Sequence, residues 1–329
     1  MIRITDSYDK ADELLWSALN ERASNGSFFQ TPAYFRFLKE SPGHDPFVFI
    51  GEKEGRYSIL MTGSVQYSSS PLVKRFSRRA IVNGGLVTDP ETAPEDIAIF
   101  LRHLTSNLSK RAIYLEIRNL NDYSAFNPLF DAAGFSRVAH LNYQVAANSS
   151  GDAFRRLSQS RRRQVRKSLD GGAEVVVSNS AEEIEAFYSI LSDTYRRKVH
   201  RPLPPKDFFM KFRELGLGVY ILVRYRGEIT GGIMCPVYGR KTLYEWYVAG
   251  EDGKYPGIYP SVLATWSAIE YAATNNIGIF DFMGAGRPDE SYGVREFKAR
   301  FGGTEVEYGR YLRIFNRMIY KAGTVIFRR

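Results

Sequence analysis

The stretch Ile279-Phe280-Asp281-Phe282-Met283-Gly284, followed by Phe297-Lys298-Ala299-Arg300-Phe301-Gly302-Gly303, decides how the rest of the chain is read. Its first part has the length and apolar content of a short buried strand. A polar loop, Arg287 to Tyr292, comes next, and then a brief helix that sets one lysine beside a phenylalanine. Open mixed sheets bind ligands beyond the carboxyl ends of their strands. A lysine there aims a positive charge at the crevice, where it can hold a phosphate or stabilise an oxyanion formed during acyl transfer. Asp281, a carboxylate in an apolar strand, either pairs structurally with a nearby Arg or Lys or orients reacting groups. Tyr292 closes a loop too varied to be only a turn and is counted among the substrate contacts.

Outward from this stretch, the second half reads as a helix over 182–197, a helix near 206–215, and a strand-turn-strand over 219–238 with its turn at Arg226-Gly227-Glu228. A strand over 242–248, a helix after Pro260, the strand over 277–283, the lysine-bearing helix and a last strand near 304–314 complete it. The first half has the same order. Helices fall at 11–22 and 32–40, the second begun by Thr31-Pro32. A hairpin turns at Glu52-Lys53-Glu54-Gly55. A strand begins at Ile81, and a helix over 94–109, a strand over 113–117, a helix over 124–133 and a return strand over 134–145 follow. Ala132-Ala133-Gly134-Phe135 holds the slot that Arg300-Phe301-Gly302-Gly303 holds later. The pattern predicts a duplicated α+β unit, each copy a mixed, mostly antiparallel sheet flanked by helices. The loop composition of Ala146 to Gly151 puts the join there, giving domains 1–147 and 148–329 that pack with a cleft between them.

With 44% hydrophobic and 25% charged residues, the composition is that of a globular protein. A net charge of +9 favours an anionic partner, without choosing between nucleotide, nucleic acid, phosphorylated intermediate and acidic membrane. Cys235 is the only cysteine, so neither an intrachain disulfide nor a cysteine zinc cluster can form. His44, His103, His140 and His200 lack metal-ligand spacing, and no metal or cofactor is expected. The N-terminus lacks a signal-peptide core and no apolar run could span a bilayer, so the cytoplasm is the expected compartment. No Ser-His-Asp ordering, Walker loop or Rossmann fingerprint is present.

Asp152 to Leu169 reads as one basic helix with an apolar stripe of Phe154, Leu157, Val165 and Leu169. Arg161 falls within that stripe, where a guanidinium must find an anion or a carbonyl. The other cations of this helix fit a solvated face, or alternatively an RNA or lipid-phosphate surface.

The chain resembles the Fem family of aminoacyltransferases, which build peptidoglycan cross-bridges, and their acetyltransferase-like relatives. The resemblance rests on Phe28-Phe29-Gln30-Thr31-Pro32 with Tyr34, on Ser160 to Lys167, on Thr194-Tyr195-Arg196-Arg197, on Asp281 to Gly284 and on Phe297 to Gly302. It implies two tandem domains of the GNAT (acyl-CoA N-acyltransferase) fold. It also implies transfer of an amino acid from aminoacyl-tRNA to an amine of a peptidoglycan precursor, nucleotide- or lipid-linked. Lys298 would then stabilise charge on the transferring acyl group, with Phe297 positioning it. Arg197 would hold a substrate phosphate with Lys39, Arg36 being the second choice. No heptad stretch interrupts the second half, so the coiled-coil arm of some relatives is missing.

CoA-dependent members of the fold cradle pyrophosphate at a helix N-terminus. Here that junction, Val248 to Pro260, carries prolines that lack N–H donors and two acids, Glu251 and Asp252, where an anion would approach. Acetyl-CoA is therefore expected to bind weakly or not at all in the second domain. Two other readings stand beside the first: an acyl-CoA-dependent N-acyltransferase acting on an amino sugar of a polysaccharide, and a non-enzymatic RNA- or membrane-binding module. The tail from Arg310, with Arg313, Arg317, Lys321, Arg328 and Arg329 among aromatic residues, reads first as a last element docked on the core, and alternatively suits peripheral contact with the membrane's inner face.

Overall fold

Two hairpins with the same turn chemistry organise the two halves. The computed structural model describes residues 2–68, 71–74, 76–199 and 202–327; His200, Arg328 and Arg329 lie outside them. One unit comprises the residues up to His140 together with those from Glu307 onward, and the other runs from Leu141 to Val306.

The first unit contains β1 (Arg3–Thr5), α1 (Glu13–Arg22), α2 (Pro32–Glu40), β2 (His44–Lys53), β3 (Arg56–Gln66), α3 (Pro71–Lys74), β4 (Arg79–Asn83), β5 (Val87–Thr88), α4 (Pro94–Leu108), β6 (Tyr114–Arg118), α5 (Asn127–Ala132) and β7 (Ser136–Val138). The second contains β8 (Leu141–Ala146), α6 (Ser150–Arg156), α7 (Gln159–Asp170), β9 (Glu174–Ser178), α8 (Ala181–Thr194), α9 (Lys206–Glu214), β10 (Gly218–Tyr225), β11 (Glu228–Tyr238), β12 (Thr242–Tyr244), β13 (Tyr247–Gly250), α10 (Pro260–Thr274), β14 (Ile279–Asp281), α11 (Gly293–Ala299) and β15 (Thr304–Glu307). The chain then returns to the first unit as β16 (Arg310–Ile314) and α12 (Arg317–Phe327).

The sheet orders are β1-β2-β3-β4-β6-β16-β7, with β5 on β3, and β15-β8-β14-β12-β11-β10-β9, with β13 on β11. Each contains a parallel pair, β4 with β6 and β12 with β14. Each also has a tight hairpin, β2–β3 and β10–β11, whose central residues have positive φ (Glu54 54° and Gly55 77°; Arg226 53° and Gly227 80°). That left-handed pair matches the twist of the flanking strands. The helices that precede the Gly134 and Gly302 turns stop at φ values of +76° and +75°. The α+β duplication read from the sequence is therefore observed.

The Phe28 to Tyr34 stretch has an internal task. Thr31 caps α2 by accepting the Tyr34 N–H at 3.1 Å, and Pro32 presets the first turn. The Gln30 carboxamide is buried and bridges two strands, donating to Thr62 O at 3.0 Å and Asn83 O at 2.7 Å and accepting from Thr62 N at 2.6 Å. It satisfies backbone groups where the ladder is interrupted.

Several boundaries differ from the sequence reading. The return strand over 134–145 is two strands in different sheets: β7 pairs with β16, and β8 pairs with β14. The strand near 304–314 divides the same way, β15 beside β8 and β16 between β6 and β7. The division at 147/148 thus moves to His140, and the segment from Glu307 leaves the second domain. The basic helix over 152–169 is two helices, because Leu157 turns out of the helix and Ser158 caps a new one, its hydroxyl accepting the Arg161 N–H at 3.3 Å. Strand β9 had no counterpart in the sequence reading.

Candidate active site

Strands β12 and β14 run side by side from Thr242 opposite Ile279 to Tyr244 opposite Asp281, and then part. Beyond Tyr244 the chain crosses through Glu245 and Trp246 into β13, which pairs with β11 instead. The last link across the split is Glu245 N–H to Asp281 O at 2.8 Å. Three ionisable side chains meet here in the interior: Glu245, Asp281 and Lys298 are 4%, 1% and 8% exposed.

Lys298 comes from α11 and turns inward. Its ammonium donates to Phe282 O at 2.7 Å and Gly284 O at 2.9 Å and pairs with Glu245 Oε1 at 3.0 Å. An ammonium has three donors, and all three are engaged. Glu245 Oε2 and the Thr265 hydroxyl of α10 are both buried without a completed hydrogen bond. Burial raises the Glu245 pKa, and Lys298 only partly offsets that rise.

Asp281 belongs to a second, fully satisfied set. Its Oδ1 accepts from Asn142 Nδ2 at 2.9 Å and Met283 N at 2.7 Å, and its Oδ2 from Gln144 Nε2 at 2.8 Å. Asn142 Oδ1 in turn accepts the Gly284 N–H at 2.7 Å. Burial raises the pKa of Asp281 as well, against these hydrogen bonds. Burial thus pushes both carboxylates up, and the positive charge of Lys298 opposes the rise in each. Cys235 on β11 is buried, and burial, with Glu245 second, pushes its thiol pKa well up, which leaves it unsuited to act as a nucleophile.

Phe297 packs on Phe301 with ring centroids 5.2 Å apart. The Arg161 guanidinium lies over both rings, at 4.4 Å and 5.2 Å. Its Nη1 donates to Gln164 Oε1 at 2.7 Å, and its buried Nε has no partner. The buried-face arginine therefore finds aromatic faces and an amide oxygen. The polar loop before α11 is fastened by Arg295, which donates to Ala285 O at 3.1 Å, Glu290 O at 2.9 Å, Pro288 O at 3.4 Å and Arg287 O. Tyr292 caps α11 without a side-chain hydrogen bond, and its ring covers Gly286, which has a φ of +82°.

The structure thus brings Asp281, Lys298, Phe297 and Arg161 into one neighbourhood of the second unit. Arg197 is elsewhere in that unit, exposed on the π-helical turn Tyr195–Val199 and paired with Asp193 at 2.9 Å. Arg36 and Lys39 belong to the first unit. Arg36 pairs with Glu13 at 2.6 Å, and the Lys39 ammonium lies 5.5 Å from the Tyr8 ring centre. Sequence reading missed Glu245 and Arg295. Glu245, a charge inside the apolar run Leu243 to Val248, carried a readable signal; Arg295 carried none.

The entry to α10 is closed by the chain itself. Pro260 occupies its first turn, and the Ser261 N–H donates to Asp252 Oδ1 at 3.1 Å while the Ser261 hydroxyl donates to Oδ2. The Tyr259 N–H goes to Ser168 Oγ at 3.0 Å. In the first unit, Pro94 begins α4 and Glu95 and Asp96 fill its first turn. A carboxylate or a proline stands at both helix entries where a pyrophosphate would need N–H groups.

Residues 154–298 match the acetyltransferase (GNAT) domain family. The chain is two GNAT folds in tandem. Its second unit is an acyltransferase domain of that class. FemX has the same fold at 13% identity, with 97% of this chain and 99% of that one superposed at a TM-score of 0.73. The tandem GNAT protein from the clavulanic acid biosynthesis pathway follows at 11% identity, 96% and 99% coverage and a TM-score of 0.60. L-PGS from Bacillus licheniformis matches at 15% identity, 96% of each chain and a TM-score of 0.60. At such identities the likeness is one of fold. No curated protein sequence matches the chain. No helix among the described residues is long and apolar enough to cross a membrane.

Proposed function

We propose that this tandem GNAT protein transfers an aminoacyl group from charged tRNA to an amine of a nucleotide- or lipid-linked cell-envelope precursor. The observation that carries the choice of donor is the α10 entry, where Asp252 and Pro260 take the place of the N–H groups that a CoA pyrophosphate would use. The Fem resemblance of the Phe297-Lys298 element supports the acceptor class, and the net charge of +9 suits two phosphate-bearing substrates.

The amine nitrogen attacks the ester carbonyl, an amide N–C bond forms, and the ester C–O bond breaks. The amine proton ends on the departing ribose oxygen. Lys298 supplies positive charge near the developing oxyanion, with Phe297 fixing the helix that carries it. In the resting protein its donors point to Glu245 and two carbonyls, so its effect is exerted through space. Arg197 holds substrate phosphate in this reading, and Tyr292 and Arg161 bound the acceptor's side of the site.

The test is transfer of labelled amino acid from charged tRNA, or of an acyl group from acyl-CoA, to amine acceptors including amino sugars. Turnover with acyl-CoA alone would favour the N-acyltransferase reading, to which the acetyltransferase description of the matched family lends support. Binding of tRNA or anionic vesicles without transfer to any acceptor would favour the non-enzymatic one.

A further inference from the structure

The outward arc of α7 carries Arg162, Arg163, Arg166 and Lys167. With Gln159 and Asp170 they line a hollow of about 530 Å³. At helical spacing these six fall on one side, opposite the buried Arg161, Val165 and Ser168. Arg162 donates to Arg155 O at 2.6 Å and Arg166 lies over Phe154 at 5.3 Å, while the side chains of Arg163 and Lys167 have neither a hydrogen bond nor an ion pair among the described residues. In the first unit Arg22, Lys53, Arg111 and Arg118 each meet a carboxylate. Unpaired cations gathered on one arc keep their whole charge for a partner.

The arc is held rigidly. The Ser158 N–H donates to Arg300 O at 2.9 Å, Arg161 is stacked on Phe297 and Phe301, and Ser168 accepts from Tyr259. The loop that α7 packs on meets the arc at Gly257, which abuts Lys167. A lipid surface would ask for apolar side chains on the exposed arc. The arc has none; the half-exposed Leu169 lies to its flank.

We infer that this arc is a docking surface for an RNA backbone, and on the donor reading above it receives the acceptor arm of the charged tRNA. The four cations neutralise phosphates, and the counterions condensed on those phosphates are released.

The experiment uses the full chain and measures binding of unfractionated tRNA across a salt series. The variant is Arg163→Gln/Arg166→Gln/Lys167→Gln, with Arg56→Gln/Arg102→Gln/Lys110→Gln as a charge-matched control on exposed residues of the first unit. The arc variant is expected to lose roughly 2 to 3 from the slope of log affinity against log salt, about one per cation, and the control to keep its slope. Unchanged melting temperatures establish that both fold. Equal slopes for arc variant and wild type would overturn the inference, as would binding to phosphatidylglycerol vesicles with none to tRNA. Loss of tRNA binding in the arc variant, in a protein that transfers nothing from charged tRNA, would sink the donor reading and leave the surface standing.

Discussion

The Lys298 ammonium and the Glu245 carboxylate lie 3.0 Å apart at the point where β12 and β14 separate, with almost no solvent around either. A fold that splits its sheet leaves backbone carbonyls without partners, and Lys298 satisfies two of them while neutralising Glu245. The residue singled out as a catalytic cation is thus also a structural one. Any mutational test has to separate the two roles.

Lys298→Met should cost about 3–5 kcal/mol, since it leaves a buried carboxylate unpaired. Adding Glu245→Gln should recover much of that loss, because the charge goes with its partner. Denaturant melts of the four proteins give the coupling directly. If the double variant is stable and still transfers at the wild-type rate, Lys298 has no part in the chemistry.

Arg161 should behave oppositely. Its Nε is buried without a partner, which offsets what the guanidinium gains from the two rings, about 2 kcal/mol when desolvated. Arg161→Met should therefore change stability by less than ~1 kcal/mol, as apolar replacement of a buried charge often does. A loss of several kcal/mol in a chemical melt would show that the stack outweighs the missing hydrogen bond.

CoA should leave the melting temperature where it is, even at millimolar concentration, because a ligand stabilises only what it binds. Asp252→Ala frees the Ser261 N–H and should permit at most weak binding, since Pro260 still lacks a donor. A clear rise for the wild-type protein would contradict the closed-entry reading.

The elements that the sequence disclosed were local ones. The Glu54-Gly55 and Arg226-Gly227 turns, the Thr31-Pro32 helix start and the Phe297-Lys298 helix each depend on neighbours a few residues away. Where β8 and β16 belong depends on strands more than a hundred residues distant, and period-two alternation carries no information about which sheet receives them. The break at Glu245 was hidden for the same reason, although its charge in an apolar run was visible: 242–248 reads as one strand, and the break comes from two different partners. The α6–α7 break was legible, since Ser158 is a helix-capping residue inside the basic run. Lys298 was placed correctly on its helix, but its inward turn could not be read without Glu245.

His44 gives a pH signature in the first unit. It faces Ser64 at 3.0 Å, and burial, helped by Arg79, pushes its imidazole pKa from 6.5 to about 4. As pH falls the unfolded chain takes up the proton first. The contribution of His44 is thus complete above pH 6.5 and is lost between 6.5 and 4. The shift sets a ceiling of about 3 kcal/mol, reduced by solvent screening. His44→Gln should flatten the stability profile across that interval, as followed by chemical denaturation at each pH.

Gly302 has a φ of +75°, and an added Cβ would come within 2.3 Å of the Arg156 carbonyl oxygen. Gly302→Ala should destabilise by more than ~1 kcal/mol, since both strain and a backbone collision act. Gly253→Ala, at φ +90° with nothing within 4 Å, meets only the strain and should cost less. Equal losses in thermal melts would mean that the Arg156 backbone yields freely.

Strand β7 has one partner, β16, and β16 also covers the edge of β6. A ribosome must therefore finish the whole GNAT unit between Leu141 and Val306 before the earlier sheet can close. Until residue 314 emerges, the nascent first unit carries an open strand edge, and a chaperone would find its binding surface there rather than on the later-made half.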